Sequence, residues 1–144
     1  GVQTCALPIC ESRKGRDLAT NPKGALTLWW PSAERQVRCS GPVRPLDDAE
    51  SATYFASRPR ESQLGARASR QGEPTPSRAA LEAALAAEAD AYPGSSPIDL
   101  PRFWGGYLLT PERWEFWQGR ANRLHDRFEY LPHGSTWENR RLQP

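Results

Sequence analysis

Three basic side chains at alternate positions, Arg123, His125 and Arg127, stand towards the end of the 144-residue sequence. Read as a strand, this spacing puts all three on one face, with Leu124, Asp126 and Phe128 on the other. Two guanidinium groups and an imidazole held together favour an anion, and guanidinium forks match phosphate oxygens. Just upstream, Glu115 and Trp117 share one strand face while Trp114 and Phe116 share the other. An aromatic wall beside a cationic face suits a flat, anionic ligand such as a nucleotide. A second set, Tyr54, Arg58 and Ser62, recurs every four residues and offers a phenol, a guanidinium and a hydroxyl, all donors to phosphate oxygens. A third is Ser12-Arg13-Lys14, where Ser12 caps a helix whose free N–H groups attract anions and two cations stand beside them. Cations at that end oppose the helix dipole, so a bound phosphate explains them better than a bare first turn does. For the stretch from 123 to 127, pattern alone is met most plainly by a solvated strand with outward arginines.

The elements that must position these groups follow from punctuation and periodicity. A short helix runs from Ser12 to about Asn21 and is stopped by Pro22. Ala25–Trp30 reads as a strand, Pro31-Ser32-Ala33 as a turn, and Glu34–Ser40 as the next strand, continued by Gly41–Leu46. Gln36, Arg38 and Ser40 alternate with Val37 and Cys39, the mark of a half-buried strand. Asp47 with Glu50 has capping-box spacing for a helix through Ser57, and Pro59 breaks it, so two short helices joined by a kink are expected. Residues 66–77 read as a loop, and 77–92 as an Ala-rich helix with a weakly apolar stripe that packs peripherally. After a Pro/Gly/Ser loop, strands are expected at about 103–109, 112–118 and 123–131. A turn at His133-Gly134-Ser135 then leads to a last strand from Trp137 to Leu142.

The order of these segments carries more than any one of them. FWGGY, EFWQG and RLHDRFEY, preceded in register by ESRKGRDLATNP, WWPSAERQVRCSGPV and YFASRPRESQLGA and followed by RRLQP, resemble the pyridoxamine/pyridoxine 5'-phosphate oxidase family. The resemblance runs from about Glu11 to Pro144 and is weak between Ser69 and Pro97. It implies an FMN-binding split β-barrel, mainly β with peripheral helices (α+β), incomplete at its N-terminal side. It implies oxidation of pyridoxamine 5'-phosphate or pyridoxine 5'-phosphate to pyridoxal 5'-phosphate, with hydride passing to FMN N5 and O2 reoxidising the flavin to give hydrogen peroxide. By the same resemblance Arg123 and His125 are catalytic and contact substrate, and Tyr54, Arg58 and Ser62 hold the substrate phosphate. Arg13, Lys14, Gln36, Gln71, Trp117 and Arg127 contact FMN, and the protein is a homodimer with FMN at the subunit interface. A cytoplasmic location is expected separately, from an odd cysteine count without a disulfide framework. Because the flavin carries the chemistry, neither a nucleophile nor a metal is expected. His125-Asp126 is not a hydrolase dyad, since adjacent strand residues face opposite sides.

The sequence departs from the family in three places. Arg67 stands where Trp is usual, and Gln71-Gly72 where Gln-Ser is usual. Residues 1–9 do not fit the pattern and read as a non-native, adapter-like leader, so the family domain is taken as 10–144, in part. The family's early strands, with an Arg and two Lys roles towards flavin and substrate, have no counterpart. An inactive fragment, or a non-enzymatic protein that binds FMN or pyridoxal phosphate on the same scaffold, is therefore the alternative expectation.

Composition bounds the remaining classes. The length suits one domain, and 38% hydrophobic residues with a mean hydropathy of -0.74 leave only a modest core. Fourteen prolines and eleven glycines fit a loop-rich sheet protein. A net charge of +2 is too small to argue for nucleic acid or an anionic membrane. No apolar run approaches the roughly 20 residues of a membrane span, and no secretory signal pattern is present. The cysteines, Cys5, Cys10 and Cys39, form no C-x-x-C pair, and two histidines make a zinc site unexpected.

Overall fold

A computed structural model describes the backbone of residues 5–6 and residues 10–144 in full. The expectation for residues 1–9 therefore lies almost wholly outside the described residues. Within it, Cys5–Ala6 form a two-residue strand, β1, so this pair does take part in the fold. The chain divides into two compact units, one comprising Asn21–Arg44 and Leu109–Pro144, the other Cys5–Thr20 and Pro45–Leu108.

The first unit is an antiparallel sheet. Its strands are β2 (Lys23–Trp30), β3 (Arg35–Pro45), β5 (Arg113–Gln118), β6 (Asp126–His133) and β7 (Thr136–Arg141), paired in the order β2-β3-β5-β6-β7. The register is continuous, so residues opposite one another share a face across four strands. Leu28, Val37, Phe116 and Phe128 form one row, and Leu26, Cys39, Trp114 and Tyr130 the next row on that face. Trp114 stacks near Phe116, and Phe116 meets Tyr130 edge-on, which makes this the apolar face of the sheet. Pro31–Ala33 is a single 3-10 turn, closed by Glu34 in the left-handed conformation at φ 48°. Gly134, at φ 59°, makes the two-residue turn between β6 and β7. Gly41 is required for a different reason: a Cβ there would lie 2.0 Å from the Thr110 carbonyl oxygen.

The second unit is helical, with β1 paired antiparallel to the start of β4 (Tyr107–Leu109). Helix α1 (Arg13–Thr20) begins where Ser12 Oγ accepts from the Gly15 N–H at 3.3 Å. Helix α2 (Asp48–Ser57) has the expected capping box: Asp47 accepts from Glu50 N–H at 2.7 Å and Glu50 from Asp47 N–H at 3.0 Å. The helix stops at Arg58-Pro59, and α3 (Arg60–Ala68) follows, as the proline requires. Helix α3 runs three residues into the segment read as a loop, through Ala68. Helix α4 (Arg78–Ala91), capped by Ser77, has no buried residue. Phe55 and Trp104 form the core, flanked by Ala66, Ile98, Leu100 and Phe103.

Two strand expectations are corrected. Residues 103–106 are not in a strand, because Trp104 is buried against Phe55 instead. The strand expected from 123 begins only at Asp126. Ala121–Arg123 form a 3-10 turn, in which Asn122 and Arg123 take φ of 59° and 62°. Arg123, His125 and Arg127 therefore do not line one strand face, and only Arg127 lies in β6.

Candidate functional site

In the sheet unit, Gln36 on β3 stands opposite Trp117 on β5, and Trp117 opposite Arg127 on β6. These three residues, 91 positions apart from first to last by their numbering, form one row on one face. Trp29 on β2 begins the same row, opposite Gln36. Its ring centroid lies 5.7 Å from that of Trp117. On the other side, the His125 ring approaches Trp117 to 4.7 Å. Although outside the strand, His125 is thus brought against the aromatic row.

His125 has a fixed orientation. Its Nδ1 accepts the backbone N–H of Arg120 at 3.2 Å, so the neutral ring carries its proton on Nε2 and presents that atom as a donor. Asp126 does not partner His125. It takes Arg120 at 2.8 Å and Arg141, and these guanidinium groups, Arg141 first, hold its carboxyl below the usual range. A hollow of about 280 Å³ beside His125 is lined by Leu124, Asp126, Arg141 and residues 142–144. Arg123 is exposed at the end of its 3-10 turn. Its left-handed backbone costs about 1 kcal/mol for a non-glycine residue, and such positions recur at ligand sites.

Arg127 is held by a carboxylate that the alternation of residues did not single out. Glu115, 5% exposed, accepts from Arg127 Nε at 2.9 Å, with Arg38 and Arg113 at 3.7 and 3.9 Å. Directly opposite on β6 is a second buried acid, Glu129, held by Arg113 and Arg140, each at 2.6 Å. The hydrogen bond from Arg127 is the main reason the Glu115 carboxyl lies below its usual range, with the charges of Arg127, Arg38 and Arg113 adding and burial opposing. Arg127 also donates to the Gln143 carbonyl at 3.0 Å. The sequence signal was present in the two acids at matching positions among four arginines, but pairing it required the register.

In the helical unit, Tyr54 and Arg58 both lean on Trp104. The Tyr54 ring stacks at 6.3 Å and the Arg58 guanidinium lies 5.4 Å from the ring centroid. Arg58 sits at the break between α2 and α3, and its Nη1 is buried with no hydrogen-bond partner among the described residues. A buried guanidinium N–H without an acceptor is costly, and an anion would satisfy it. Ser62 is half-buried in the first turn of α3. Arg13 and Lys14 are exposed at the start of α1, with Arg13 3.8 Å from Asp17. Gln71 is exposed in the turn after α3, next to Gly72 at φ 85°. Arg67 is a structural clamp: it bonds Glu88 at 2.7 Å and the Asp99 carbonyl at 2.9 Å, and lies 4.8 Å over Tyr92. Among the described residues, no group of three or more potential ligands could hold a metal, and no helix is long and apolar enough to cross a membrane.

Comparison with known proteins adds a family to this geometry. Residues 10–90 match the family model described as pyridoxamine 5'-phosphate oxidase. Residues 104–144 match that described as the pyridoxine 5'-phosphate oxidase C-terminal dimerisation region. The chain is 54% identical over 134 residues to the pyridoxine/pyridoxamine 5'-phosphate oxidase of Anaeromyxobacter dehalogenans, covering 93% of this chain and 67% of that one. It is 52% identical over 132 residues to the enzyme of the same name from Rubrobacter xylanophilus, covering 92% and 60%. The chain thus spans about three-fifths to two-thirds of the length of these relatives. Among solved structures, PhzG from Burkholderia lata, in complex with tetrahydrophenazine-1-carboxylic acid, matches with TM-score 0.86 and 29% identity over 99% of this chain and 69% of that one. A pyridoxamine 5'-phosphate oxidase-related, FMN binding protein from Nostoc punctiforme matches with TM-score 0.76 over 99% and 73%, and at 17% identity it speaks for the fold alone.

Proposed function

We propose that this chain, which belongs to the pyridoxamine 5'-phosphate oxidase family, oxidises pyridoxamine 5'-phosphate or pyridoxine 5'-phosphate to pyridoxal 5'-phosphate with FMN, the cofactor of the family. A bound FMN would supply the two-electron redox chemistry, taking up the hydride equivalent lost by the substrate carbon, with O2 as the final acceptor of the two electrons and two protons as hydrogen peroxide. The protein's share is position and field. The observation that carries the reading is the row of Gln36, Trp117 and Arg127, brought from three strands to one face with His125 against the middle ring. An amide, an indole face and a guanidinium are a fitting donor set for a flat ring bearing carbonyl groups and a phosphate.

Each residue has a derivable task. Trp117 offers ring surface for stacking. Arg127, fixed by Glu115, presents its charge without a search through rotamers. His125 Nε2–H donates to the substrate near the carbon that is oxidised. Arg123 supplies a cation at the same end of β6 and favours the negative charge of a phosphorylated ligand. Tyr54, Arg58 and Ser62 hold the substrate phosphate, with the unpartnered Arg58 Nη1 supporting that role. Arg13, Lys14 and Gln71 serve the flavin and its phosphate in this proposal. The match to a dimerisation region supports a homodimer.

Purified protein supplied with FMN tests the reading directly. Retained flavin colour and conversion of pyridoxamine 5'-phosphate to pyridoxal 5'-phosphate, with hydrogen peroxide released, are expected. Protein that binds pyridoxal 5'-phosphate but no flavin would contradict it and favour a carrier. The similarity to PhzG supports a second reading, a flavin oxidase acting on another ring. Under that reading, removing the substrate phosphate leaves turnover unchanged. Under the first, it abolishes most of it.

A further inference from the structure

Trp29 has no role in the reading above, yet its place in the sheet gives it one. Side chains alternate along β2, so Trp29 and Trp30 point to opposite faces although both are about half exposed, at 48% and 47%. Trp29 is opposite Gln36 and continues the row Gln36, Trp117 and Arg127 by one strand. Its ring lies 5.7 Å from Trp117 at an interplanar angle of 57°, so the two indoles form an angled wall with Gln36 at its base. Trp30 is opposite Arg35, which in turn is opposite Gln118, on the reverse face. A large ring left half exposed beside an indole that faces ligand has apolar surface to cover.

We propose that Trp29 is a further cofactor-contact residue, an aromatic wall that packs with Trp117 against the isoalloxazine ring of FMN. The inference rests on the proposed flavin site and adds to it a residue from β2. A flat heteroaromatic ring is the occupant that an angled pair of indoles with an amide between them recognises best. Trp29 supplies contact area and excludes water from the ring, and it transfers no proton.

The test is an FMN titration of flavin-free protein, followed by quenching of flavin fluorescence. Trp29→Ala is expected to raise the FMN dissociation constant about three- to tenfold, the span for losing one aromatic contact. Trp29→Phe should stay within about twofold of the parent, since a ring is kept. Trp30→Ala should leave FMN affinity unchanged because it alters the opposite face. If Trp29→Ala does not fold, as judged by circular dichroism, Trp29→Leu reads the same contact with bulk kept and the ring removed. Parent and Trp29 variants with equal FMN affinity would overturn the inference alone. Equal losses in the Trp29 and Trp30 variants would also overturn it, as a general weakening of the sheet. A parent that takes up no FMN would overturn it together with the reading beneath it.

Discussion

At the residue scale, the site depends on how its charges are compensated. Glu115 is buried among Arg127, Arg38 and Arg113, and its carboxyl lies below its ordinary value of 4.5. A carboxylate depressed in the folded state contributes stability that is fully present above the unfolded value and lost as pH falls through the folded one. The melting temperature should therefore hold above about pH 5 and fall as pH drops below about 4.5. Glu115→Ala should cost about 1–2 kcal/mol at neutral pH, by removing the buried acceptor of the half-buried Arg127, and should flatten that acid slope. Thermal melts from pH 3 to 7 check both, and an unchanged acid slope in the variant would refute the assignment. Arg58 makes a prediction of another kind. Arg58→Ala should raise KM for the phosphorylated substrate at least tenfold, the effect of about 1.4 kcal/mol, and leave flavin affinity nearly untouched. Steady-state kinetics and an FMN titration on the same variant separate the two. These residue types were legible in the sequence. Their partners were not, because Glu115 meets Arg127 and Arg58 meets Trp104 only through contacts distant in the chain.

At the scale of elements, local signals served well where one residue type dictates the backbone. The Asp47–Glu50 capping box and the break at Pro59 were readable because each is settled within four residues. Asp47→Ala should lower stability by about 1 kcal/mol, measurable by urea unfolding. The start of β6 was misread because alternation of Arg123, His125 and Arg127 is also compatible with a turn. Two consecutive left-handed residues, Asn122 and Arg123, end the 3-10 turn there and move Arg123 off the strand. A Cβ at 2.0 Å from the Thr110 carbonyl cannot be accommodated by rotating a side chain, so Gly41→Ala should cost about 1–3 kcal/mol or more. The shortening of the expected 103–109 strand has a different origin from the misplaced β6: burial of Trp104 in the helical unit overrides strand propensity.

For the molecule as a whole, the sheet unit carries Gln36, Trp117, Arg123, His125 and Arg127, and the helical unit carries Arg13, Lys14, Tyr54, Arg58, Ser62 and Gln71. The mainly β architecture with helices was legible because motif order, more than any single pattern, pointed to it. The division into two units was not, since contact density leaves no periodic trace in sequence. Nor did the alternation of residues reveal Arg67 as the clamp between α3 and α4, a place where this chain departs from the family's usual tryptophan. The proposed activity is oxidation of a phosphorylated pyridine substrate by a bound flavin. Anaerobic mixing of the FMN-loaded protein with pyridoxamine 5'-phosphate tests it most directly, by following the visible flavin absorbance. Bleaching of that band with one pyridoxal 5'-phosphate formed per flavin, and its return on admitting O2, is expected. A flavin that binds yet stays oxidised in the presence of this substrate would contradict it.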